Sequence, residues 1–153
     1  MKAISSVLLS VVLTIAGVSQ TNSLEKKGTS VPDRERLIGA WRLRSMSGPD
    51  GKPITTGSPI GMLIYTRDGH MSVQLMYPDS TVTNDYVLNG YEASFGSFDV
   101  NPSAHTVTHH VRGSVTRGLV GKDLTRRYRL EGSRLIIRST RADESWQVTW
   151  EHE

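Results

Sequence analysis

Residues 57–77 read Gly57-Ser58-Pro59-Ile60-Gly61-Met62-Leu63-Ile64-Tyr65-Thr66-Arg67-Asp68-Gly69-His70-Met71-Ser72-Val73-Gln74-Leu75-Met76-Tyr77, and they decide the fold. Two runs rich in branched and aromatic side chains, 60–66 and 71–77, flank Arg67-Asp68-Gly69. This is the composition of two strands joined by a tight turn. Gly69 adopts a left-handed backbone at little cost, so a three-residue type I turn closed by a glycine bulge fits. A two-residue Asp68-Gly69 loop also fits. The difference matters, because a slip of one residue turns every side chain of a strand to the other face. Three loop residues put Leu63, Tyr65, Met71, Val73 and Leu75 on one face, apolar apart from one hydroxyl, as an interior requires. Two would set Tyr65 opposite Ser72 and Leu63 opposite Gln74. The three-residue register is the expectation.

Outward from the hairpin, further strands are predicted over 37–46, 91–100, 105–114, 122–130, 134–140 and 145–151. Asn101-Pro102, Gly118 to Gly121, Gly132-Ser133 and Ala142-Asp143 mark the turns between them. Trp41, Leu43 and Ser45 share a face of the first strand, with Arg42 and Arg44 on the other. Phe95 and Phe98 fall on opposite faces of their strand; Trp146, Val148 and Trp150 share one face of the last. Asp33 is the expected N-cap of a short helical turn over 33–37. Residues 78–90 are polar apart from Tyr86-Val87-Leu88. They read as a lid over one end of the sheet, with room for a short helix, or as a plain surface loop. Eight short sequential strands remove their edges by closing on themselves. The expected fold is therefore all-β: an eight-stranded antiparallel up-and-down barrel with an N-terminal helical turn and a lid segment. Such a barrel holds either packed side chains or one small ligand.

The chain has 153 residues, and its start reads as an address rather than as fold. Met1-Lys2, an uncharged apolar run over 3–18 and the small residues Gly17-Val18-Ser19 form a secretory signal over 1–19. Residues 20–32 read as a flexible linker and 33–153 as the barrel domain. The expected location is periplasmic or secreted, without a stable membrane anchor, since the run is short for a span of about 20 residues. There is no Cys, which excludes disulfides, thiolate chemistry and Cys–zinc sites. The formal charge is +3, or +2 once Lys2 is removed. No basic patch interleaved with aromatics accompanies it, so no nucleic-acid partner is expected.

A longer set of segments carries a resemblance. Leu37-Ile38-Gly39-Ala40-Trp41-Arg42-Leu43 contains the Gly-x-Trp signature. Gly61-Met62-Leu63-Ile64-Tyr65, Asp68-Gly69-His70-Met71-Ser72-Val73-Gln74-Leu75, Phe95-Gly96-Ser97-Phe98, Val107-Thr108-His109-His110-Val111, Arg126-Arg127-Tyr128 and Thr149-Trp150-Glu151 follow in order. From Leu37 to Glu151 the chain resembles the bacterial and fungal lipocalin-like domain family. The resemblance implies a barrel with an interior cavity and no shared catalytic constellation. One departure stands out. A lipocalin carries an Arg near its end that packs on the first-strand Trp, whereas here Glu151 and His152 follow Trp150, and Arg126 is the substitute considered.

Strand parity nominates the chemistry. Val107, His109 and Val111 share a face, so His109 points inward and His110 and Arg112 outward. Leu124, Arg126, Tyr128 and Leu130 point inward, Arg127 and Arg129 outward. An inward Arg beside an inward His needs partners, supplied by a ligand carboxylate, phenolate or enolate, or by a buried Glu, Asp or Tyr. Glu92 and Asp99 are acid–base candidates that read as exposed strand-end carboxylates. Asp99 is the nearest to Arg126. His105 and His109 share a face but lie about 13 Å apart at 3.3 Å per residue, so no metal site is expected. There is no phosphate loop and no Gly-x-Ser-x-Gly elbow, and no cofactor is implied. The ligand-binding candidates are Tyr65, Met71, Val73, Phe95, His109, Arg126, Tyr128 and Trp150. The leading reading is a binding protein for a small apolar or amphipathic molecule, with an anionic head as one option. The alternatives are a cofactor-independent isomerase or cyclase, with His109 as acid or base and Arg126 and Tyr65 stabilising oxyanion charge, and a filled barrel with a structural or interaction role.

Overall fold

The computed structural model describes residues 31–48, 50–54 and 59–153. The expected signal over 1–19 and the linker over 20–32, apart from Val31 and Pro32, lie outside the described residues. One short helix, α1 (Asp33–Leu37), precedes eight strands. They are β1 (Gly39–Ser47), β2 (Ile60–Tyr65), β3 (His70–Met76), β4 (Tyr91–Asn101), β5 (Thr106–Ser114), β6 (Asp123–Glu131), β7 (Arg134–Ser139) and β8 (Gln147–His152). Each pairs antiparallel with the next, and β1 pairs with β8, which closes the barrel.

The hairpin takes the three-residue register. Tyr65 lies opposite Met71 and Leu63 opposite Val73. The Thr66 N–H donates to His70 O at 2.9 Å, and Gly69 turns the chain with φ of 92°. Leu63, Tyr65, Met71, Val73 and Leu75 are all buried.

α1 and Trp41 close one end. Trp41 is buried, and its Nε1 donates to the carbonyl of Leu37, itself fully buried, at 2.8 Å. Pro32, not Asp33, occupies the N-cap, and no side chain caps the helix. The Asp33 carboxylate instead accepts the Tyr128 hydroxyl at 2.6 Å, a charge-assisted bond that spans the barrel end. The Arg34 guanidinium lies 5.4 Å from the Phe98 ring centre, and the Tyr65 and Phe98 rings are 4.6 Å apart. Together with Met71 and Val107 these side chains pack the half of the barrel next to α1.

His152, rather than an Arg, packs on the first-strand Trp. Its ring meets Trp41 edge-on, with centroids 4.7 Å apart and planes at 79°. Gly39 makes room for it: its φ is 137°, and a Cβ there would stand 2.4 Å from His152 Nε2. Arg126 does not substitute at this end and lies elsewhere in the barrel.

One departure from strict alternation follows from irregular pairing. The β1–β8 register shifts between Leu43 and Ser45. That bulge leaves Ser45 exposed and packs Met46 against the core, against the expectation for Ser45. Residues 78–90 form turns and no helix; an isolated bridge from Leu88 to Tyr91 ends them. Within them Val87 is buried, as a lid requires.

Candidate functional site

The half of the barrel away from α1 is hollow. Its cavity measures about 190 Å³ and is walled by Leu63, Val73, Leu75, Leu124, Ile137, Val148 and Trp150. Met46 and Trp146 line its rim, and Asn84, Tyr86 and Val87 of the lid roof it. Three ionisable side chains enter from three adjacent strands: Glu92 on β4, His109 on β5 and Arg126 on β6. An outer polar cleft of about 610 Å³ shares Asn84, Tyr86, Leu119, Leu124 and Arg126 with the cavity. Arg126 therefore stands at the boundary between interior and mouth.

Arg126 is only 6% exposed. Its Nη1 donates to Thr125 O at 3.3 Å. The guanidinium centre lies 4.9 Å from the Trp146 ring and 5.4 Å from the Tyr86 ring, so cation–π attraction takes the place of a carboxylate partner. Glu144 lies close by but is engaged elsewhere. It accepts from Tyr86 Oη at 2.8 Å, Ser139 Oγ at 2.6 Å and Trp146 Nε1 at 3.2 Å. These bonds fasten the lid, through Tyr86, to the segment between β7 and β8.

His109 rests on Tyr65, with Nε2 2.6 Å from the hydroxyl. Burial, then the Arg126 charge, then His110 push the imidazole down to about 3, so it is neutral. Burial holds the Tyr65 hydroxyl far above its ordinary range, so it keeps its proton while hydrogen-bonded to Nε2. Glu92 is partly buried. Burial pushes its carboxyl up to about 7, against the opposing pull of Arg126.

Of the residues nominated from sequence, Val73, His109, Arg126 and Trp150 line the cavity. Tyr65 lies beneath it and reaches it through His109. Met71 and Tyr128 are buried in the packed half. Phe95 is on the outside, 59% exposed, because the inner face of β4 runs Glu92, Ser94, Gly96, Phe98. The same parity corrects the carboxylates. Asp99 is outside, where it binds His110 Nε2 at 3.0 Å, and Glu92 is the one in the cavity. His110 faces outward and is held between Asp99 and Asp123, the latter at 2.7 Å from Nδ1. Tyr77, Asn84, Tyr86, Glu92 and Ser94 are polar lining residues that strand parity did not nominate. The apolar patch at Tyr86-Val87-Leu88 in a polar segment was the available signal for the lid.

The profile of the lipocalin-like domain family matches residues 38–152. The chain belongs to the lipocalin-like domain family. Solved structures similar to this lipocalin-like domain include a redesigned β-barrel, 13% identical, covering 78% of this chain and 94% of its own, with a TM-score of 0.48. A de novo designed fluorescence-activating β-barrel is 12% identical, with coverage of 81% and 100% and a TM-score of 0.48. An uncharacterized protein from Bacteroides eggerthii DSM 20697 is 12% identical, with coverage of 76% and 99% and a TM-score of 0.47. No curated protein matches the sequence.

Glu92 and His109 together give the lipocalin-like domain a defined pH response. Glu92 titrates higher in the fold than the ordinary 4.5. Its contribution is intact below about pH 4.5 and is lost as pH rises through 7. His109 titrates lower than the ordinary 6.5, so its contribution is intact above 6.5 and is lost as pH falls toward 3. Between 4.5 and 6.5 the two oppose each other. Glu92→Gln should therefore raise stability at pH 8, by up to about 3 kcal/mol, and change little at pH 4. Denaturant melts at the two pH values check this. An equal effect at both would place Glu92 in solvent.

Proposed function

We propose that this lipocalin-like domain binds a small, largely apolar molecule in the hollow half of its barrel, with the polar end of the ligand at Arg126. One observation carries the reading. Among the described residues, a buried guanidinium with no carboxylate at salt-bridge distance faces a largely apolar cavity, which it shares with Glu92 and His109. A buried charge that is left incompletely paired is costly, and an acidic ligand head would complete it. The volume supports a compact ligand, since an apolar cavity of about 150 Å³ already accepts benzene. The lid and the cleft beside Arg126 provide a mouth.

A second reading rests on Glu92 and His109. A carboxyl that titrates near neutrality, opposite a neutral imidazole in one cavity, is suited to moving a proton. A cofactor-independent isomerase or cyclase would use such a pair. One experiment separates the two readings. The protein is incubated with a small-molecule extract of its host, freed of unbound material and extracted with solvent. A molecule recovered unchanged supports binding. A molecule recovered as an isomer of one in the extract supports catalysis.

The same proposal places the domain outside the cytoplasm, on the strength of the uncharged apolar run before Gly17-Val18-Ser19. N-terminal sequencing of protein from the native host should find a chain that starts near Gln20. A soluble cytosolic form that retains Met1 would contradict export.

A further inference from the structure

We propose that the cavity takes up a compact aromatic carboxylate together with one proton, the carboxylate seated on Arg126 and the proton held by Glu92. This rests on the binding reading above and adds the ligand class and its charge.

The aromatic part follows from the walls. Trp146 and Tyr86 flank the Arg126 guanidinium, Trp150 lines the wall, and a space of about 190 Å³ suits a single substituted ring. The carboxylate follows from the donors. The guanidinium spends one N–H on Thr125 O and lies against two aromatic rings. Its remaining N–H fork matches a planar, bidentate acceptor. Asn84 uses its Oδ1 on the N–H groups of Tyr86 and Val87, at 2.8 and 2.9 Å, and its amide N–H groups are further donors. Arg126 is the one cation of this lining among the described residues, and it repels a ligand whose polar end is itself cationic.

The proton follows from the placement of Glu92. Its carboxyl shares the cavity with Arg126. The charged and titratable groups around it are Arg126 on β6, His109 on β5, Tyr77 after β3, Tyr86 of the lid, and Glu144 beyond Tyr86. A ligand anion at Arg126 brings a second negative charge into a small enclosed space, where two anions do not both stay ionised. Glu92 already titrates near 7, whereas His109 titrates near 3. Glu92 is thus the group that takes the proton from solvent. Once protonated, it becomes one more donor to a ligand oxygen. Affinity is highest below pH 7 and falls as pH rises, by up to about tenfold per unit where Glu92 is ionised in the unliganded protein.

Isothermal titration with benzoate at pH 7.5, in two buffers of different ionisation heat, tests this on the full chain. Toluene and benzylamine serve as matched neutral and cationic probes. The expected result is that benzoate binds more tightly than either, with uptake of about half a proton or more per ligand. Glu92→Gln should remove both the uptake and the pH dependence of the dissociation constant. Benzoate binding without proton uptake overturns the proposal. So does uptake that persists in Glu92→Gln, or benzylamine binding as tightly as benzoate. Toluene binding alone overturns it while leaving a ligand-binding barrel in place. If none of the three binds and the barrel also captures nothing from host extract, both proposals fall.

Discussion

Trp41→Ala should lower the unfolding free energy by about 3–5 kcal/mol, the range for truncating a buried Trp. The side chain is 1% exposed, and its Nε1 donates to Leu37 O, so the substitution removes packing and a helix tether together. It also strips His152 of its ring partner. α1 is five residues long and has no side-chain cap. Such a segment has little helical stability of its own and depends on what it packs against. Chemical denaturation of both proteins measures the loss. A value below 1 kcal/mol would put Trp41 at the surface and the β1 register in error.

Arg126→Met should abolish capture of an anionic ligand, weakening it by about a hundredfold or more, while Arg127→Met leaves capture nearly unchanged. Methionine keeps much of the volume and removes the charge. A swap that keeps most of the volume is among the best tolerated in a packed interior, so the barrel should still fold. Arg127 is next in sequence but exposed on the opposite face. The pair thus isolates direction from composition. Equal effects of the two substitutions on ligand capture would refute the inward anchor.

Parity reads well wherever strands pair regularly. Inside β5 and β6, Val107, His109 and Val111, and Arg126 and Tyr128, are buried as alternation requires. The hairpin register was legible because only one of its two alternatives gives an apolar face. Parity fails at the β1 bulge, where an extra residue is not visible in composition, and Met46 replaces Ser45 inside. In β4 the problem is different. Phe95 and Phe98 offer two faces of equal hydrophobic appeal, and the outer one carries Phe95 against Gly113. Choosing Phe95 for the interior sends Glu92 outward and hides the carboxyl that shares the cavity with Arg126. The lid escapes alternation altogether, because Asn84 and Tyr86 reach the cavity from turns whose path depends on the barrel beneath.

Native mass spectrometry of the protein purified from its own host tests most directly whether the hollow half of the barrel holds a ligand. The expected spectrum shows the chain with one small molecule bound, released on activation, and Arg126→Met shows the bare chain alone. A wild-type spectrum of the bare chain only, under conditions that preserve the fold, would contradict a ligand-binding barrel.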